Sequence, residues 1–141
     1  IEQSGGLDLD SMTADSFWDD LEEYSRESMP LLNQNPTFVR LAQTYFSELD
    51  SGEHPDAVAD VTDFAIDWTR RFIERGRELG VVREDLSLEY LTRMINAIGE
   101  VGDQWLMEHW DELTEDEAIQ LVYKEIDLMK RMLEPTSEEA S

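Results

Sequence analysis

Whatever chemistry this chain performs must be done with carboxylates and aromatic rings, because little else is supplied. Its 141 residues include 34 Asp and Glu, two histidines and no cysteine. Without cysteine there is no thiolate nucleophile, no thiolate metal site and no disulfide. A histidine acid–base pair has only His54 and His109 to draw on, and His54 precedes Pro55 and reads as a turn residue. Neither histidine lies three residues after a glutamate, so the Glu-x-x-His pairs of di-metal helical bundles are missing. Glu100, Asp103, Glu108 and His109 are the one loose grouping able to hold a stray cation. In a chain this acidic such proximity carries little information. No G-x-S-x-G elbow, phosphate-binding glycine loop or dinucleotide fingerprint occurs. The residue inventory points away from an enzyme and predicts neither a metal nor a cofactor.

Charge narrows the partners. Eleven Lys and Arg leave a formal net charge of -23. Proteins that grip phosphate backbones do so with clustered basic residues. Here Arg70, Arg71, Arg75 and Arg77 are spread over two helical turns among acids. Direct contact with nucleic acid or anionic lipid is therefore not expected of this chain. No uncharged apolar run approaches the ~18 residues of a membrane span. The first residues, Ile1 to Gly6, lack an initiator Met and the basic-then-apolar layout of a signal peptide. The chain reads as a cytoplasmic piece of something longer. A length of 141 residues implies one domain, and a hydrophobic fraction of 40%, with 4 Trp, 4 Tyr and 5 Phe, supplies a core.

The elements that must position these residues are helices. Residues 1–12 read as a flexible lead-in, 13–134 as the folded domain and 135–141 as a disordered acidic tail. The first helix is expected from about Thr13 to Met29, stopped by Pro30. Asn35-Pro36 opens a second, with Phe38, Leu41, Ala42, Tyr45 and Leu49 on its apolar face. His54-Pro55 opens a third, ending at Gly80 as a C-terminal cap. The fourth runs from Leu88, after the cap Ser87, to about Trp110, and its polar stripe is narrow: Glu89, Arg93, Asn96, Glu100 and Asp103. Thr114 and Glu117 form a capping box for the fifth. There Ile119, Val122, Ile126, Met129 and Leu133 repeat at alternating spacings of three and four, as in a seam between nearly parallel helices. Leu121, Leu128 and Met132 form a second apolar row.

Helices four and five thus carry more apolar circumference than three small neighbours easily cover. The economical arrangement is a homodimer in which they pair with their copies as a four-helix interface. Gly99 and Gly102 inside helix four each cost about 1 kcal/mol relative to Ala, which a close helix approach would explain. The expected interface residues are Gly99, Gly102, Leu106, Ile119, Val122, Ile126 and Met129.

The stretch Gly80-Val81-Val82-Arg83-Glu84-Asp85-Leu86, following Glu74 to Leu79 and leading into a long helix with Trp105, resembles the C-terminal domain of TetR-type transcriptional regulators. In that family a helix ends in a G-x-x-R-x-D-L-like turn before the penultimate long helix. The resemblance spans residues 55–133 and covers 13–50 weakly. It implies an all-α, five-helix ligand-sensing and dimerisation domain, with DNA read by an N-terminal helix-turn-helix that this chain lacks. It also implies a small, mostly apolar effector enclosed by helices one to four. The candidates to touch it are Tyr45, Phe64, Trp68, Phe72, Met94 and Trp105, with Asn96, Glu100 and Arg93 as candidate polar anchors. The acidic excess favours a neutral or cationic effector over an anionic one. A stand-alone helical module offering its acidic surface to a basic protein is the alternative.

Overall fold

Start and stop signals along the chain decide where its helices lie. The computed structural model describes residues 7–51 and 55–136, and within them five α-helices and no strand. These are α1 (Phe17–Asn33), α2 (Pro36–Ser51), α3 (Pro55–Glu78), α4 (Leu88–Glu108) and α5 (Glu115–Leu133). His54, residues 1–6 of the lead-in and residues 137–141 of the tail lie outside the described residues.

The caps act as their residue types require. Asn35 Oδ1 accepts from the Phe38 N–H at 3.2 Å, and Ser87 Oγ accepts from the Tyr90 N–H at 3.1 Å. Thr114 and Glu117 close both arms of the capping box, at 3.0 and 3.1 Å. Several expectations need correction. α1 begins later than Thr13, because Thr13 and Ser16 bond each other reciprocally, at 2.9 and 3.1 Å, in a separate turn. It also continues through Pro30. The proline removes one N–H, but Met29 and Leu32 are packed on either side of it and hold the helix on course. α4 stops at Glu108, and a single 3-10 turn, Trp110–Glu112, joins it to α5. On α2 the inward residues are Val39, Ala42 and Phe46, while Phe38 and Leu41 face solvent.

The lead-in also differs from expectation: over residues 7–12 it is held rather than loose. Met12 is 1% exposed and belongs to the core. The Arg75 guanidinium donates to the carbonyls of Leu9 at 2.9 Å, Asp10 at 3.3 Å and Met12 at 3.0 Å.

α3 packs along α4 and α1 along α5, while α4 and α5 touch one another and α2 lies against α4. Two separate cores result. The larger joins Met12, Phe17, Trp18, Phe72, Ile73, Val82, Leu91, Ile95, Ile126 and Leu133. The smaller joins Met29, Val39, Leu106, Met107 and Ala118 at the other end. Val122 touches both.

The turn between α3 and α4 locks the larger core. Gly80 has φ of +79°. Around it Val81 N–H bonds Gly76 O at 2.9 Å and Gly80 N–H bonds Arg77 O at 3.0 Å, the paired bonds of a Schellman cap. Arg83 grips Asp85 through two bonds of 2.6 Å, and its backbone N–H reaches Leu133 O at 2.7 Å, tying the turn to the end of α5. Arg77 donates to the carbonyls of Arg83 and Leu86. Val82 folds back onto Gly76, where an added Cβ would sit on Val82 Cγ2 and 2.9 Å from Phe17 Cζ.

Two glycines in helices should therefore respond in opposite ways. Gly76→Ala is expected to destabilise by about 1–3 kcal/mol through overpacking. Gly99→Ala meets only Met129 Cε at an ordinary 3.8 Å and is expected to stabilise by about 0.5–1 kcal/mol. Urea unfolding of both variants checks the pair; equal shifts would contradict the packing described for Gly76.

Candidate functional site: a cleft beside the larger core

Beside the larger core lies a cleft of about 480 Å³ to which all five helices contribute. α3 lends the longest wall, with Val61, Thr62, Phe64, Ala65, Trp68, Thr69 and Phe72. α1 adds Leu21, Tyr24 and Ser25, and α2 adds Tyr45 and Phe46. α4 contributes Ile95, Asn96, Gly99, Glu100 and Asp103; α5 contributes Val122, Glu125, Ile126 and Met129. Val61 and Phe64 are about half exposed, at 49% and 56%, and form part of the rim.

Local chemistry sets these side chains. Trp68 and Phe72, four apart on α3, stack with ring centres 5.4 Å apart, and Phe72 stacks in turn on buried Phe17 at 4.5 Å. The aromatic wall is thereby anchored in the larger core. Tyr45 and Thr62 join their hydroxyls at 3.0 Å, linking α2 to α3 across the cleft lining.

Of the six residues expected to meet a ligand, Tyr45, Phe64, Trp68 and Phe72 line the cleft. Met94 and Trp105 do not. On α4 the positions facing the cleft are 95, 96, 99, 100 and 103, and 94 and 105 fall on the opposite flank at 100° per residue. Trp105 is 45% exposed and stacks on the His109 ring at 3.9 Å. Asn96 and Glu100 reach the lining, whereas Arg93 is held at the surface by Glu89 at 2.9 Å.

The residues expected to form an interface between copies are turned into the protomer. Leu106 and Ile126 are 6% and 5% exposed, Ile119, Val122 and Met129 pack on the two cores, and Gly99 lines the cleft. The 3- and 4-residue seam is thus an intrachain one, formed by α5 against its own bundle. Gly102 also has an intrachain neighbour: a Cβ there would stand 2.6 Å from Glu125 Oε2. The missing side chain makes room for that carboxylate rather than for a second helix backbone.

Sequence reasoning does not single out Glu125, and it reads Asp103 as part of a solvated stripe; their surroundings set both apart. Burial pushes the Glu125 carboxyl up to about 7, with further elevation from the negative charge of Asp103. Asp103 is pushed up to about 6 by burial. The Asp103 side chain is nonetheless exposed to solvent, whereas Glu125 is partly buried. One signal does lie in the sequence: Glu125 interrupts the apolar face between Leu121 and Leu128. Among the described residues no group of three or more acids and histidines is arranged to hold a metal ion, so Glu100, Asp103, Glu108 and His109 do not converge. A second depression, between residues 7–10 and the α3 side chains Trp68, Arg71, Glu74, Arg75 and Glu78, is lined mostly by polar surface, and its Arg75 is already engaged.

Comparison with protein-family models, curated proteins and solved structures finds no match.

The raised carboxyls have a consequence for stability. A group that holds its proton more tightly folded than unfolded stabilises the fold at pH below its unfolded value and loses that contribution as pH rises through its folded value. For Glu125 and Asp103 that window runs from the ordinary carboxyl values of 4.5 and 3.8 up to about 7 and 6. Glu125→Gln is expected to match the parent near pH 4 and to melt higher than the parent above pH 7. Thermal melts across the range check this; a pH-independent difference would mean that Glu125 is not sheltered.

Proposed function

We propose that this chain is the ligand-sensing and dimerisation domain of a TetR-type transcriptional regulator, with DNA contact made by residues outside it. One observation carries the reading: an all-helical fold leaves a cleft of about 480 Å³ beside its larger core, walled by aromatic and aliphatic side chains with a few polar groups. Small-molecule sites have that size and lining. A bundle built only to present an acidic surface needs no such space.

The Gly80–Leu86 turn supports the same reading. Residues that carry the resemblance are the ones that hold the turn together, since Gly80 takes the left-handed cap and Arg83 and Asp85 bind each other. A binding role rather than catalysis suits a lining with no histidine, cysteine or basic residue. Dimerisation, in this reading, uses the outer faces of the last two helices. Tyr90, Val101 and Trp105 on α4 and Leu128 on α5 are 54%, 68%, 45% and 59% exposed. Such apolar exposure on a chain of charge -23 suits burial against a second copy, with salt relieving the mutual repulsion.

Sedimentation should find a dimer at micromolar concentration that strengthens at moderate salt, and Val101→Glu with Leu128→Glu should separate it. Lipophilic small molecules should raise the melting temperature, since a ligand at a hundred times its Kd adds about 2.7 kcal/mol to the folded state. A monomer that no compound stabilises would end this proposal.

A further inference from the structure

We infer that the cleft takes an organic cation, a protonated or quaternary amine on an apolar body, held between the aromatic wall of α3 and the carboxylates of α4 and α5. The inference rests on the ligand-sensing reading above and specifies the class of ligand.

The first observation is the distribution of charge. Some carboxylates outside the cleft pair with arginines, as Asp67 does with Arg70 and Arg71, Asp85 with Arg83, Glu89 with Arg70 and Arg93, and Asp127 with Arg131. The remaining surplus of acids over the 11 Lys and Arg can be met by water on the open surface. The cleft lining includes Glu100, Asp103 and Glu125 but no Lys, Arg or His. Nothing of opposite charge offsets the sheltering of Asp103 or Glu125. A partly buried carboxylate such as Glu125 without a counter-charge is costly, and a cation in the cleft offsets that cost.

The second observation is the aromatic character of the same cleft. Trp68, Phe64, Tyr24 and Tyr45 line it, and aromatic faces attract cations through their ring quadrupoles, tryptophan best. Rings attract a diffuse organic charge carried on an apolar body. A small inorganic cation instead needs converging oxygen ligands, and the described acids do not converge on one point. The Asn96 amide lies in the same lining and can accept from an ammonium N–H. An anionic ligand would meet three like charges and no donor cation.

The charged and titratable groups facing the cleft are Glu100 and Asp103 from α4, Glu125 from α5, Tyr24 from α1 and Tyr45 from α2; the α3 lining has none. Between about pH 5 and 8 Asp103 and Glu125 lose their protons. Binding of a permanent cation is thus expected to tighten as pH rises through that range and to expel protons.

The test uses three probes that share a naphthylmethyl body: a trimethylammonium cation, its uncharged carbon isostere and the corresponding sulfonate. Calorimetric titration is run at about 0.15 M salt, where fields from distant surface charges are largely screened. The cation should bind at least about tenfold tighter than the neutral isostere, and the sulfonate should not bind. Glu125→Gln should remove most of that preference and leave the neutral affinity unchanged, whereas Glu134→Gln at the exposed end of α5 should change neither. Equal affinity for cation and isostere overturns the inference and leaves the ligand-sensing reading standing. Equal losses in the two variants also overturn it, because attraction would then come from net charge alone. If none of the three probes binds, both readings fall.

Discussion

The architecture depends on a division of its apolar material into two cores that do not merge. One end of the bundle is packed around Phe17, Phe72 and Ile73, the other around Met29, Leu106 and Met107. A chain free to collapse would close the cleft beside the larger core, because unfilled apolar volume costs dispersion contacts on every lining atom. The helices are prevented from doing so by being fastened near their ends. The α3–α4 turn is tied by Arg83 to the end of α5, and Gly76 lets Val82 seal that end. Toward the opposite end, the Gln43 side chain donates to the Met107 carbonyl at 3.1 Å, joining α2 to α4.

Electrostatics follow the same division of labour. With 34 acids and 11 Lys and Arg, cationic side chains are scarce, and several arginines serve to fix geometry. Arg75, Arg77 and Arg83 all donate to backbone carbonyls. Charge-assisted bonds of this kind are stronger than neutral ones and hold a planar fork in one orientation. None of these groups is directed into the cleft, whose carboxylates are left with only one another. A single deleted side chain, at Gly102, makes the room for Glu125 to stand there.

Much of the helical frame is legible in the residues. Proline after a capping residue, Thr114 with Glu117, and Gly80 after an apolar run are local signals that act through a few atoms, and α2 through α5 begin where they indicate. The failures are tertiary. Pro30 is overruled by the packing of Met29 and Leu32. Met12 stands in a polar stretch, and packing of Leu7, Leu9 and Met12 on the core, with bonds from Arg75 63 residues away, draws that stretch in. On α4, spacing identifies apolar residues but does not tell the flank facing the cleft from the flank facing away, so Met94 and Trp105 fall in with Trp68 and Phe72. The seam on α5 is equally ambiguous, since the same alternation serves a neighbour in the same chain or in another. The acid pair is hardest to find, because in so acidic a chain only three-dimensional shelter distinguishes Glu125 from its many equivalents.

The hold of Arg75 on the carbonyls of Leu9, Asp10 and Met12 makes the incoming segment and helix α3 one mechanical piece. That helix is also the longest wall of the cleft. Any tilt of α3 would therefore carry residues 9–12 with it, so that a change in one cleft wall is felt at the same time by the segment that precedes α1.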